Sequence, residues 1–143
     1  MPRGNGDVIK TNVKRRVDLV LPFAALSTNK MYSGRKRRSV YYKFFRKKLF
    51  KYLDEKFKAP VKLTGNLSLS LEVGFSNSLS DLSNAIKSVE DVLAEYLGFN
   101  DKQIVQIELS KYLVHKGDEY MKVSIFKTRK NIDRRGNGKK TRE

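Results

Sequence analysis

The sequence predicts a single small α+β domain, with a mixed, largely antiparallel sheet of about four strands packed against two helices. Three observations carry that prediction. A chain of 143 residues, 39% of them hydrophobic, is long enough for one domain with a core. Apolar residues alternate at period two around residues 17–21, 67–75, 104–109 and 120–126. Two further stretches, 40–57 and 82–97, carry apolar residues at helical spacing. The order is strand, helix, strand, helix, strand, strand.

Residues 1–16 are expected to be a flexible leading segment, 17–127 the folded domain, and 128–143 a basic disordered tail. Val17 to Leu21 reads as a strand that Pro22 stops. Residues 23–39 read as a loop carrying Asn29, Lys30, Tyr32 and the run Arg35, Lys36, Arg37, Arg38, with Gly34 to let it turn. From Val40 to Phe57 helical spacing puts Tyr41, Phe44, Phe45, Leu49, Tyr52 and Leu53 on one side. Lys43, Arg46, Lys47, Lys48 and Lys51 fall on the other. The interleaved aromatic rings read as core rather than as platforms for bases, although Tyr32, Tyr41 and Tyr42 are also candidates to touch nucleic acid.

After the Gly65-Asn66 turn, Leu67, Leu69, Leu71 and Val73 share one strand face, and Ser68, Ser70 and Glu72 share the other. A polar connector leads into the second helix, whose core face is expected to hold Leu82, Ala85, Ile86, Val89, Leu93 and Tyr96. Gly98 turns the chain, and Asp101 precedes a strand over 104–114. His115 to Glu119 reads as a hairpin turn, so that Tyr120 to Phe126 returns beside the preceding strand. His115 itself reads as a surface residue.

Charge narrows the function. Lys and Arg number 31 against 15 acids, giving a net charge of +16, which points to a polyanionic partner such as DNA or RNA. From Lys30 to Lys58 alone there are 12 basic and 2 acidic residues, a candidate phosphate-binding surface. The absence of Cys excludes disulfides, thiolate metal sites and Cys nucleophiles. With a single His, a metal site has to be built from carboxylates, which suits Mg²⁺ or Mn²⁺ better than Zn²⁺. No apolar run approaches the roughly 18 residues of a membrane span, and no signal peptide is apparent, so a cytoplasmic protein is expected.

The second helix holds the candidate chemistry. Asp81 is placed at its N-cap, where capping of the first-turn amides is the simpler role. Asn84, Lys87 and Asp91 lie within about 60° of one another on the polar side. Asp101, ahead of the next strand, is expected to point back toward the start of the helix. Together the three carboxylates Asp81, Asp91 and Asp101, with Lys87, suggest metal-dependent chemistry on a polyanion.

This stretch resembles the signature of RusA-type Holliday junction resolvases, Asp-x-Asp-Asn-x-x-Lys-x-x-x-Asp, then a turn and an Asp before a Gln and a strand. Asp81, Asn84, Lys87, Asp91 and Asp101 match, followed by Gln103-Ile104-Val105. The resemblance extends to Leu21-Pro22, Ser27-Thr28-Asn29 and Tyr32, and forward to Lys111 and Lys116-Gly117, covering about residues 17–127. One position departs: Ser83 stands where the family has its second aspartate. A hydroxyl can coordinate Mg²⁺ but brings no charge, so Asp91 and Glu72 are candidates to substitute.

The resemblance implies a homodimeric, structure-selective endonuclease that places paired nicks in four-way DNA junctions during recombination and repair. Its setting would be the nucleoid of a bacterial or phage-infected cell. Asp81 and Asp101 would hold the metal, Lys87 would act electrostatically and Asn84 would orient a ligand. Lys111 and Lys116 would join Asn29, Lys30, Tyr32, Arg35, Lys36, Arg37, Arg38, Lys43, Arg46 and Lys47 on the DNA. A junction binder without cleavage is the alternative reading, and a basic ribosome-associated protein is a weaker third.

Overall fold

Leu67, Leu69, Leu71 and Val73 alternate with smaller or polar residues, and this run forms the central strand of the molecule. The structure, a computed structural model, describes residues 12–27, 30–33, 37–79 and 82–129. In chain order the elements are β1 (Asn12–Lys14), β2 (Arg16–Leu21), β3 (Tyr32–Ser33), β4 (Arg37–Arg38), α1 (Val40–Lys56) and β5 (Val61–Leu63). There follow β6 (Leu67–Phe75), α2 (Ser83–Leu97), a 3₁₀ turn (Asp101–Gln103), β7 (Ile104–Leu113) and β8 (Tyr120–Lys127). The main sheet has the order β2-β8-β6-β7, with β6 parallel to β7 and the other two pairings antiparallel. The small α+β class expected from the pattern is the one observed.

Period two places Val17, Leu19, Leu21, Leu67, Leu69, Leu71, Val73, Met121, Val123 and Ile125 on one sheet face, all essentially buried. Both helices contribute to the same core. From α1 come Tyr42, Phe45, Leu49 and Leu53; from α2 come Ala85, Ser88, Val89, Val92, Leu93 and Leu97. Each large apolar side chain so buried contributes about 1.5–3 kcal/mol. The opposite sheet face is polar, with Asp18 accepting from the Ser124 hydroxyl (2.6 Å) and Glu72 from Tyr120 Oη (2.6 Å).

The helices begin and stop for local reasons. Ser39, in extended conformation, caps α1 by accepting from the Tyr42 amide at 3.1 Å, and its own hydroxyl donates to the Lys30 carbonyl. Helix α2 ends at Gly98, whose φ of 70° is the left-handed conformation that glycine adopts without steric cost. Ser88 fastens α2 to the loop after β2 by donating to the Leu26 carbonyl at 2.7 Å.

Several expectations are corrected. The two last strands are not a hairpin: β8 sits between β2 and β6, while β7 lies on the far side of β6 as an edge strand. The reason is that α2 makes a crossover that returns β7 parallel to β6, leaving the other side of β6 open to β8. Residues 12–14, expected to be flexible, instead pair in parallel with Val61–Leu63. The residue preceding α2 is Leu82, itself helical and making no side-chain cap; Asp81 lies outside the described residues. The basic tail from residue 130 onward also lies outside them.

Candidate functional site

Two groups of side chains matter: the polar flank of α2 with the turn that follows it, and the outward face of α1. On α2, Ser83 is exposed in the first turn, and Asn84 is half-buried beside a cleft of roughly 330 Å³. Ala25, Ser27, Phe75, Asn77 and Glu119 are among the residues that line that cleft, at the C-terminal end of β6. One turn further on, Lys87 Nζ lies 3.0 Å from Asp91 Oδ1, and Arg38 Nη2 lies 3.2 Å from the other oxygen. Asp91 is 17% exposed, so this three-charge cluster is partly shielded from solvent. Asp91 therefore holds Lys87 in place and ties α2 to the segment before α1.

Asp101 lies elsewhere. It opens the 3₁₀ turn after α2, where Asn100 accepts from the Lys102 amide and Gln103 reaches back to the Asn100 amide at 2.8 Å. The Gln103 amide also donates to the Gly65 carbonyl at 2.9 Å, which fixes this turn at the starting end of β6. Ser83 opens α2 at the other end, beyond Phe75. Fifteen helical residues separate the two ends, a rise of about 22 Å. The expectation that Asp101 points back to the helix start is corrected: in a parallel β-α-β crossover, the loop before the helix and the loop after it lie at opposite ends of the strands.

Neither substitute acid reaches the start of α2. Glu72 alternates with Leu71 and Val73, which face the helices, so its carboxylate points to the opposite sheet face and accepts from Tyr120. That hydrogen bond helps push the Tyr120 phenol up to about 12. Asp91 is engaged by two cations. Among the described residues no three His, Cys, Asp or Glu side chains converge as a metal cage requires.

Glu90 was passed over in the sequence. Half-buried on α2, its carboxyl is pushed up first by burial and next by the negative charge of Asp101, with Lys87 opposing. The available signal was its position three residues after Lys87, on the side of the helix that runs toward Asp101.

The cations of α1 and of the segment before it divide into two sets. Arg38 and Arg46 turn inward: Arg46 Nε donates to Glu95 at 2.9 Å and its guanidinium covers Phe50, while Arg38 also stacks on Tyr42 at 4.3 Å. These two, expected to contact DNA, join α1 to α2, as does the Tyr96–Asp54 hydrogen bond of 2.7 Å. Burial and then that bond raise the Tyr96 phenol to about 12. Lys43, Lys47, Lys48 and Lys51 face outward, with Arg37 nearby and exposed. Lys30 lies over the Tyr41 ring at 5.6 Å. Lys111 projects from β7 toward the Ser78 carbonyl (3.4 Å), and Lys116 is exposed in the β7–β8 connection. Asn29, Arg35 and Lys36 lie outside the described residues.

No helix among the described residues is long and apolar enough to cross a membrane. Compared with models of known families and with curated proteins, the chain matches none.

Proposed function

We propose that this chain is a RusA-like protein that binds four-way DNA junctions as a homodimer and cuts them by metal-dependent phosphodiester hydrolysis. The observation that carries the binding is the outward face of α1, where Lys43, Lys47, Lys48 and Lys51 stand in solvent along one side of a protein of net charge +16. The cutting rests on the ordered signature Asp81, Asn84, Lys87, Asp91 and Asp101.

The donor chemistry, carboxylates with a hydroxyl and an amide, suits a hard divalent cation such as Mg²⁺ or Mn²⁺. The geometry of a single chain does not suit it, because Asp101 lies at the far end of α2 from Ser83. The reading therefore requires two chains whose α2 helices run antiparallel, so that the start of one helix meets the Asp101 turn of its partner. A two-fold dimer supplies two such places, one for each nick in a two-fold substrate. A bound divalent ion would be held by Asp81 and Asp101 from different chains, and it supplies a Lewis acid that lowers the pKa of coordinated water.

The chain's own residues do the remaining work. Lys87, oriented by Asp91, puts an ammonium beside the charge that develops on the phosphate. Asn84, at the cleft, orients the neighbouring ligand through its amide. Ser83 contributes a neutral oxygen where a carboxylate would add charge. That neutrality is also what favours the second reading, a junction binder that does not cut.

The test is a labelled synthetic four-way junction incubated with Mg²⁺ or Mn²⁺ and the parent, Ser83→Asp or Asp101→Asn protein. Symmetric nicking by the parent that disappears in Asp101→Asn is expected, with Ser83→Asp faster. Binding without nicking, with cleavage only in Ser83→Asp, would establish the second reading. Cleavage by none of them sinks the nuclease.

A further inference from the structure

The outward face of α1 carries more than charge. Taking 100° per residue, the buried residues Tyr42, Phe45, Leu49 and Leu53 cover an arc of about 80°, and Phe44 lies roughly 145° from its centre. Phe44 therefore projects from the middle of the solvent side and is 68% exposed. Val40 and Tyr41 beside it are 62% and 59% exposed. An exposed apolar patch of this kind asks for a partner.

The surroundings specify its chemistry. Phe44 is flanked by Lys43, Lys47 and Lys48, with Lys51 one turn further on. Lys47 and Lys51 are about 6 Å apart along the axis, a row of positive charge leading away from the rings. Lys30 sits against the Tyr41 ring at 5.6 Å, and Lys48 lies 5.0 Å from the ring of Phe23, so cations and rings are interleaved. A partner with anionic groups along a chain and flat apolar faces beside them matches this pattern: a nucleic acid with unpaired bases. An intact duplex offers the phosphates but keeps its base faces stacked inside. A lipid surface would call for a longer apolar stripe than one helical turn provides.

We propose that Phe44, with Tyr41 beside it, is a stacking platform for unpaired bases, and that the lysines of α1 guide the adjoining strand across it. This deepens the junction-binding reading and rests on it, because the centre of a branched DNA is where base faces become available. Phe44 would discriminate branched or single-stranded DNA from duplex, while the lysines supply affinity common to both.

The experiment measures anisotropy with a labelled single strand, a duplex and a four-way junction, using the full chain without divalent metal. Phe44→Ala, Phe44→Trp and Lys47→Ala are compared with the parent. Phe44→Ala is expected to weaken single-strand and junction binding by roughly tenfold or more, and duplex binding by less than about twofold. Phe44→Trp should restore it, and 2-aminopurine placed in the single strand should be quenched by the parent and not by Phe44→Ala. Lys47→Ala should weaken all three ligands alike and reduce the salt slope by about one.

Equal affinities of parent and Phe44→Ala for all three ligands would overturn the proposal. So would Phe44-dependent binding to phosphatidylserine vesicles, or a dimer lost in Phe44→Ala, if nucleic-acid binding stays unchanged. Phe44-dependent binding without nicking by any variant removes the nuclease reading alone. Nicking with Phe44-independent binding removes this proposal alone.

Discussion

Glu90 shows how one side chain registers its surroundings. Burial and the nearby Asp101 charge raise its folded value above the ordinary 4.5. A carboxyl raised in this way supports the native state fully below about pH 4.5, and that support is lost as pH rises through the folded value. Replacing it with Gln removes a charge that the site disfavours. Glu90→Gln should therefore raise Tm by about 1–3 °C at pH 7 and leave it unchanged near pH 4. Thermal unfolding followed by circular dichroism at both values checks this, and an equal gain at both would show that charge is not the cause. Helical spacing alone did not single the residue out, because both its burial and the Asp101 charge that acts on it come from the folded chain, eleven residues away in sequence for the latter.

Among the elements, α1 depends on its first residue pair. Ser39 is 5% exposed, satisfies the Tyr42 amide and holds the Lys30 carbonyl, so one hydroxyl joins the helix to the preceding loop. Ser39→Ala should cost about 1–2 kcal/mol and lower Tm by roughly 3–8 °C, with Ser39→Thr close to the parent. A Tm within a degree of the parent for Ser39→Ala would mean that the cap contributes little. The same helix shows why its outward rings were misassigned. The apolar residues from Phe44 round to Leu53 span about 180° of arc, with Val40 and Phe50 beyond its two ends, whereas a helix packed on one side buries a stripe nearer 100°. Period alone could not say which part of the arc would be covered.

For the molecule as a whole, the crossover from β6 through α2 to β7 makes the arrangement of the acids a question of assembly. If sites are shared between chains, Asp81→Asn and Asp101→Asn proteins should each be inactive, and mixing them should restore junction nicking. In the mixed dimer one site carries both defects and the other carries none. Restored activity of up to about a quarter of the parent's is expected after subunit exchange, scored on denaturing gels. No restoration, with exchange demonstrated by differently tagged chains, would exclude the shared site.

Local chemistry was enough to locate the helices, the main strands, the buried faces of β2, β6 and β8 and the basic stretch, because periodicity, caps and turn residues act over a few positions. The order and spacing of Asp81, Asn84, Lys87, Asp91 and Asp101 are read directly from the sequence. Long-range pairing settled the rest. It inserted β8 between β2 and β6, set Glu72 on the face away from the helices, turned Arg38 and Arg46 inward, and left Phe44 in solvent. It also put Asp101 and Ser83 beyond opposite ends of β6. Which strand edge or helix flank is covered is decided by competition among segments distant in sequence, and no local pattern records the outcome of that competition.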